Sequence, residues 1–325
     1  MKKLWRIISV VILILIVAVA GLLIYIKTAL PDVGPPPDLK VEITPERFER
    51  GKYLANHVWL CMDCHSERDW RKFSAPPIAG TEGSGGDEFT PEMGFPGHYY
   101  ATNITPGGIG DWTDGEIYRA ITSGVSKNGR ALFPIMPYPI LAKADKEDVY
   151  SVIAYIRSIP AVEKSYPEPE SDFPMNFIIN LIPEKADHQP APDPSDKIAY
   201  GEYLAWSCIE CHTIAEKGRI VIEEAYAGGR EFPLLTGGTV YSSNITPDEE
   251  TGIGKWTEDQ FVRKFKQYAD SNFITQSIAD NTFNTYMPWE MYAGMTVSDL
   301  QALYAYLISI EPKTYKVERF VPDVD

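Results

Sequence analysis

The sequence is poor in cysteine and in basic residues, and it has a single long apolar run. Four of its 325 residues are cysteine, too few for a disulfide framework to hold a chain of this size together. Beyond residue 30, 26 lysines and arginines stand against 45 aspartates and glutamates. This acidic balance argues against binding to nucleic acid or to anionic lipid headgroups. It is compatible both with steering a basic protein partner and with plain solubility.

The long apolar run extends from Ile7 to Ile26 without a charge, which is the length that crosses a bilayer as a helix. No small-x-small cleavage site and no cysteine follow it, which favours an uncleaved anchor over a cleaved signal peptide. Three basic residues precede the run, whereas Lys27 alone follows it directly. The positive-inside rule then predicts a bacterial inner-membrane anchor with the rest of the chain on the periplasmic side.

All four cysteines lie in two copies of a Cys-x-x-Cys-His motif. The copies are Cys61-Met-Asp-Cys64-His65 and Cys208-Ile-Glu-Cys211-His212. This is the attachment signature of a c-type haem. Two thiols one helical turn apart can bond the vinyl groups of one porphyrin, and the adjacent histidine can then ligate its iron. The sequence therefore predicts two covalently bound haem c groups, with the histidine of each motif as an axial iron ligand.

Two other uses of paired cysteines fit the sequence less well. A four-cysteine zinc site would need both pairs, but they lie 147 positions apart, and zinc gives no reason for a histidine after each pair. A thioredoxin-like pair belongs at a strand-to-helix turn, and no β-branched strand pattern precedes either motif.

The repeat extends beyond the motif. Gly-x-Tyr-Leu-Ala begins at Gly51 and again at Gly201, and Asn-Ile-Thr-Pro recurs at 103–106 and 244–247. A third recurrence, Gly-x-Trp-Thr, ends in each half on a threonine that begins a capping box. Apolar stripes at helical spacing then lead to a proline in each half. These features predict an all-α fold of two tandem domains after an N-terminal transmembrane helix.

The predicted boundaries follow from composition. They are an anchor at 1–30, a proline-rich spacer at 31–44, a first domain at 45–160, a proline-rich linker at 161–195 and a second domain at 196–325.

A matched methionine in each half is the candidate for the other axial ligand. Met136 and Met287 are the methionines that precede proline, and they follow their motif histidines at nearly the same interval. Proline restricts its own backbone and that of the preceding residue, which gives a flexible methionine a rigid base. The competing side chains lie inside a motif, beside Met287 or in one half alone: Met62, Met93, Met291, Met295, His57, His98 and His188. Asn103 and Asn244 recur in both halves and either contact haem propionates or hold their loop.

The order of Cys-x-x-Cys-His, Asn-Ile-Thr-Pro, Gly-x-Trp-Thr and Met-Pro-Tyr or Met-Pro-Trp resembles the membrane-anchored cytochrome c subunits of periplasmic alcohol and gluconate dehydrogenases. It is also similar to related dihaem cytochromes c. The resemblance covers about residues 45 to 312. It implies class I cytochrome c domains with His65 and His212 as proximal ligands and Met136 and Met287 as distal ligands. The dehydrogenase subunits usually carry three haem domains, whereas this sequence has two motifs.

Two irons with both axial positions filled would suit an electron carrier that has no catalytic residues of its own. We expect single electrons to pass from a periplasmic dehydrogenase or quinol-oxidising complex to an oxidase or soluble cytochrome. The alternative is a catalytic dihaem enzyme, of peroxidase or thiosulfate-oxidising type, with one open iron. A haem sensor or structural module is a third reading of the same motifs.

Overall fold

A computed structural model describes residues 2–216 and 219–324 of the chain. Within these residues the chain is mostly helical, as predicted. The α-helices described, α1 to α13 in chain order, are Lys2–Ala29, Pro45–Tyr53, Cys61–Cys64, Pro106–Ile109, Asp114–Ser123, Tyr138–Leu141, Lys146–Ser158, Met175–Ile178, Lys197–Leu204, Trp206–Cys211, Glu258–Lys266, Trp289–Tyr292 and Val297–Ser309. A π-helical turn, Leu54–Val58, continues α2. Short 3₁₀ turns are Pro91–Met93, Ile179–Leu181, Ile222–Glu224 and Gln267–Ala269.

Short antiparallel strands accompany the helices. Strands β1 to β8 are Glu88–Phe89, Gly97–Tyr100, Glu170–Ser171, Ala215–Glu216, Arg219–Ile220, Glu231–Pro233, Thr239–Tyr241 and Phe320–Val321. They pair in the orders β1-β2-β3, β4-β5 and β6-β7-β8. The all-α prediction omits them because strands this short do not show an alternating apolar pattern.

Helix α1 is long and apolar enough to cross a membrane. Its 28 residues would extend about 42 Å at 1.5 Å per residue. It is exposed along nearly its whole length, and Ile26, near its end, is buried. The short helix α8 packs at this end, where Lys27 Nζ lies 5.1 Å from the centre of the Phe177 ring.

The two halves use the same helix crossing. Helix α2 packs on α7 in the first half, and α9 packs on α13 in the second. A Cβ atom added to Gly51 would lie 1.8 Å from the carbonyl oxygen of Ser151, and one added to Gly201 would lie 2.0 Å from that of Ala302. The repeated glycines therefore allow two helix backbones to touch in each half.

Both predicted capping boxes are confirmed. The Thr113 hydroxyl accepts from the Glu116 backbone N–H and the Glu116 carboxylate accepts from the Thr113 N–H, which starts α5. Thr257 and Gln260 do the same at the start of α11. Helices α7 and α13 end just before the prolines that were predicted to stop them.

The proline-rich segment 161–195 lies along the first half. Its carbonyls at Val162 and Lys164 accept hydrogen bonds from the Asn103 side chain. Strand β3 within it pairs with β2, and the Asp187 N–H donates to the Ala142 carbonyl. The segment is therefore hydrogen-bonded to the first half, and α8 and a 3₁₀ turn interrupt its extended stretches.

The two halves meet through a reciprocal pair of hydrogen bonds. The Tyr53 hydroxyl of α2 donates to Asp299 Oδ2 of α13, and the Tyr203 hydroxyl of α9 donates to Asp148 Oδ2 of α7, both at 2.6 Å. Each hydroxyl also accepts from the backbone N–H at the N-cap of the same helix, at 3.1 and 3.3 Å. Because Tyr53 and Tyr203 are equivalent in the repeat, the contact relates the two halves by an approximate two-fold axis.

Removing one of these hydroxyls is expected to destabilise the protein. We expect Tyr53→Phe to lower the free energy of unfolding by about 1–3 kcal/mol, because it leaves a buried carboxylate poorly solvated. Tyr203→Phe should cost less, since Asp148 also receives two hydrogen bonds from Arg50, both 2.7 Å long. Urea unfolding of the detergent-solubilised protein measures both. Tyr304→Phe, whose exposed hydroxyl bonds within the second half, is the control, and an equal loss in the control would contradict the prediction.

Candidate haem-attachment sites

Each Cys-x-x-Cys-His motif forms the end of a short helix. Helix α3 contains the first cysteine pair and α10 ends on the second. The backbone N–H of His65 donates to the Cys61 carbonyl at 3.0 Å, and that of His212 to the Cys208 carbonyl at 2.7 Å. One helical turn thus separates the two thiols of each pair, as the spacing predicts.

The two motif histidines are oriented by backbone carbonyls. His65 Nδ1 lies 2.6 Å from the Thr102 carbonyl oxygen, and His212 Nδ1 lies 2.6 Å from that of Ser243. A carbonyl can only accept, so the proton is on Nδ1 and the Nε2 lone pair is free to bind a metal. Thr102 and Ser243 directly precede the two Asn-Ile-Thr-Pro segments. The repeat marks these two segments, although no side chain singles out their carbonyls as the histidine acceptors.

The recurring asparagines hold the loops that carry these carbonyls. Asn103 Nδ2 donates to the Val162 carbonyl and Asn244 Nδ2 to the Lys313 carbonyl, both at 2.7 Å. Each Oδ1 accepts from the backbone and hydroxyl of the threonine that lies two positions further on. Both asparagines are buried. Of the two roles left open by the sequence, the structure shows the loop-holding one.

The candidate methionines occupy identical turns. The residue after each proline donates its N–H to the methionine carbonyl, at 2.7 Å for Met136 and 2.9 Å for Met287. Pro137 and Pro288, with φ of −78° and −83° and ψ of 40° and 71°, form the inverse γ-turns that this bond defines. Both methionines are half-buried and pack against the hydrophobic core. One cysteine of each motif packs against the same core.

Four of the competing side chains have other contacts. His188 has both ring nitrogens within hydrogen-bond distance of protein oxygens. His57 Nδ1 lies 2.7 Å from the Met291 carbonyl and so joins the first half to the second. Met62 and Met295 are each 1% exposed and belong to the core. Met136 and Met287 therefore remain the matched pair.

The packing around the motif side chains shifts their pKa values. Burial raises the pKa of Cys61 and Cys208 to about 12 and that of Cys211 to about 11. Nevertheless Cys211 is exposed and the other three cysteines are half-buried. Burial also lowers the pKa of both motif histidines, which favours the neutral imidazole that ligates iron.

The two motifs also lie near each other. The charge of Asp63, inside the first motif, contributes to the raised pKa of Cys211 in the second, although burial is the larger cause. Among the residues the structure describes, no three His, Cys, Asp or Glu side chains converge on one point. The two motifs are therefore neighbours in the structure.

Paired cysteines followed by a histidine whose Nδ1 is held by a carbonyl are typical of one class of protein, the c-type cytochromes, in which haem is bound covalently. Comparisons with known proteins narrow the class. The cytochrome c subunit of alcohol dehydrogenase (quinone) from Gluconacetobacter polyoxogenes is 30% identical over 284 residues, which cover 81% of this chain and 56% of that protein. The gluconate 2-dehydrogenase cytochrome c subunit of Pantoea cypripedii is 30% identical over 68% of this chain and 50% of its own length.

A shorter relative matches along most of its length. The diheme cytochrome c-type protein of Cereibacter sphaeroides is 26% identical over 266 residues, 73% of this chain and 85% of that protein. No family model matches the chain. The chain spans about half the length of the dehydrogenase subunits that it matches. The resemblance predicted from the motifs is confirmed, and the chain is a homologue of these cytochrome c subunits.

Proposed function

We propose that the chain is a membrane-anchored dihaem cytochrome c that transfers single electrons. Two tandem class I domains, at 45–160 and 196–325, would each hold one haem c. The repeated helix crossing, capping box, histidine–carbonyl bond and proline γ-turn support this division, because each half contains a complete set. The two covalent haems are supported by the two motifs and by a relative named as a diheme protein.

The histidine–carbonyl bond, present in both halves at 2.6 Å, carries this proposal. It fixes the neutral tautomer and the ring orientation that axial ligation needs. The four cysteines would bond the porphyrins, and His65 and His212 would be the proximal ligands. Met136 and Met287, on rigid turns, would be the distal ligands. Bound haem supplies one-electron ferric–ferrous chemistry, and sulfur ligation favours the reduced state.

The arrangement of the halves supports an internal relay. Buried tyrosine–aspartate bonds hold the halves together in both directions, and the attachment motifs are electrostatic neighbours. A fixed, short separation is what electron transfer between two haems of one chain requires. The protein thus contributes position and burial rather than catalytic groups.

The proposed setting follows from α1 and from the relatives. With α1 as an uncleaved anchor and the positive charges before it on the cytoplasmic side, both domains would lie in the periplasm. The relatives are named as subunits of alcohol, gluconate and fructose dehydrogenases. A periplasmic dehydrogenase or a quinol-oxidising complex is therefore the proposed donor. An oxidase or a soluble cytochrome is the proposed acceptor.

The test is the far-red methionine–iron charge-transfer band of the oxidised protein. We expect Met136→Ala and Met287→Ala each to remove about half of this band, because each would open one iron. Met93→Ala, which has no counterpart in the other half, should leave it unchanged. If one of the two substitutions leaves the band intact, that iron is not methionine-ligated. A catalytic dihaem enzyme with an open iron would then describe the protein better.

A further inference from the structure

Two loops differ in length between the halves, and they meet each other. The loop after the motif histidine ends where a glycine N–H donates to the histidine carbonyl, at Gly85 in the first half and at Gly228 in the second. This loop is longer in the first half. The segment between the capped helix and the γ-turn is instead shorter in the first half, at 124–135, than in the second, at 267–286. The longer loop of the first half, which follows the motif histidine, pairs with the longer loop of the second half, which precedes the γ-turn. Lys72 forms a β-bridge with Ser277, and the Phe73 N–H donates to the Gln276 carbonyl at 2.9 Å.

The first-half loop ends on the γ-turn that holds Met287. Ser74 Oγ donates to the Met287 carbonyl at 2.5 Å and accepts from the Trp289 N–H at 3.0 Å. The Ser74 N–H donates to Asn284 Oδ1 at 2.9 Å. Ser74 is 3% exposed and has φ of +66°, a left-handed conformation that favours glycine. One buried hydroxyl from the first half therefore bridges both ends of a turn in the second.

Aromatic rings of the same loop enclose the turn. The Trp70 ring packs edge-on against Tyr286, the residue before Met287, with centroids 5.1 Å apart. Phe73 stacks on Tyr268 at 6.2 Å, and Tyr268 stacks in turn on Trp289 at 5.1 Å. The turn is thus packed on two sides by residues whose positions depend on the first half.

The reverse contact is not found. Among the residues the structure describes, every hydrogen bond of the 133–138 segment around Met136 stays within the first half. The Met136 turn is therefore held by its own half, whereas the Met287 turn depends on both.

We infer that Ser74 is a positioning residue for Met287, so that the first half controls how firmly the second iron holds its distal ligand. The inference rests on the proposed ligation of iron by Met287. A turn braced by two hydrogen bonds and two aromatic contacts has less freedom to move its methionine away. Loosening the Ser74 contact should make Met287 easier to displace and leave Met136 as it was.

The test measures displacement of methionine by added imidazole. Met136→Ala removes one ligand, so that the far-red band of this variant reports Met287 alone. In that background we expect Ser74→Ala to lower the imidazole concentration for half-loss of the band about tenfold, from the loss of a bridging hydroxyl. Ser74→Gly should do the same, and it accepts the left-handed backbone without strain. Ser126→Ala is the matched control, because this buried hydroxyl also donates to a backbone carbonyl and accepts from a backbone N–H, but within the first half.

The outcomes separate the two proposals. A Met136→Ala protein that lacks the band from the start overturns the ligation by Met287 and the role of Ser74 together. A band that is present but displaced at the same imidazole concentration in both Ser74 variants overturns the positioning role alone. An equal shift in the Ser126 control would also overturn it, since the effect would then be general loosening.

A second surface carries an independent inference. The segment 172–182 packs at the end of α1, where Lys27 lies over Phe177. It exposes three apolar side chains, namely Phe173 at 78%, Leu181 at 54% and Ile178 at 41%. The apolar run from Ile7 to Ile26 extends about 30 Å as a helix, the thickness of the hydrocarbon core. With α1 inserted as proposed, the segment next to Lys27 would lie at the level of the membrane surface.

We propose that this segment rests on the lipid at the acyl–headgroup boundary and fixes the tilt of the first half. This proposal depends on the proposed insertion of α1 into the membrane, which carbonate extraction tests separately. In the haem-loaded protein the native thiols are consumed, so an added cysteine is the one free thiol. In nanodiscs of neutral lipid we expect Phe173→Cys to react with a membrane-impermeant maleimide at least tenfold more slowly than Ile274→Cys, whose parent side chain is 80% exposed. Equal rates in nanodiscs would overturn the contact, provided that both variants react equally in dodecyl sulfate.

Discussion

Gly51→Ala and Gly201→Ala are expected to destabilise the protein by about 3 kcal/mol or more each, as overpacking against a rigid neighbour does. In an ordinary exposed helix the same change would stabilise by roughly 1 kcal/mol, because glycine costs backbone entropy. Here the new methyl group would lie 1.8 Å from one backbone carbonyl oxygen and 2.0 Å from the other. A backbone oxygen cannot rotate away as a side chain can, so the two crossing helices must separate.

The neighbouring positions supply matched controls. Lys52→Ala and Glu202→Ala change the next residue of the same helices, and both parent side chains are exposed. Urea unfolding, followed by far-UV circular dichroism, should show losses within about 0.5 kcal/mol for these controls. A glycine variant as stable as its neighbouring control would contradict the close crossing. The sign of the effect therefore distinguishes backbone contact from helix propensity.

The local features of the site could be predicted from the sequence because they depend on neighbouring residues. A threonine three positions before glutamate or glutamine specifies a capping box wherever a helix begins, and both predicted boxes are present. The methionines were located by the proline that follows each of them, and both turns have the same geometry. The repeat strengthened each of these predictions, because the same pattern recurs at equivalent positions in both halves.

Features that depend on how distant segments meet could not be predicted in this way. The histidine acceptors are backbone carbonyls, which every residue has, so side-chain chemistry does not single out Thr102 or Ser243. The repeated tyrosines were visible, but their bonds to the aspartate of the other half depend on how the two halves meet. Ser74 lies in a loop that differs in length between the halves, so the repeat gives no guidance there.

Replacing both cysteines of one motif by serine is expected to halve the haem content of the purified protein. Serine cannot form the thioether bond, so Cys61 and Cys64 variants should lose one haem by mass, and Cys208 and Cys211 variants the other. Each motif histidine is held by a carbonyl of its own half, so the intact half should still attach its haem. The reduced pyridine haemochrome spectrum and intact-protein mass measure the number. Met62→Leu, a volume-conserving change inside the first motif, should keep both haems.

The two cysteine-pair variants are expected to differ in the far-red band of the haem that remains. The loop that contacts the Met287 turn begins directly after His65, so loss of the first haem should disturb Ser74 and weaken the far-red band of the second iron. Loss of the second haem should leave the Met136 band at its full single-site intensity, because that turn is held within the first half. Two variants with one haem each and equal bands would contradict this asymmetry while leaving the haem count intact. The residual band therefore tests whether the first half supports the second, independently of how many haems are attached.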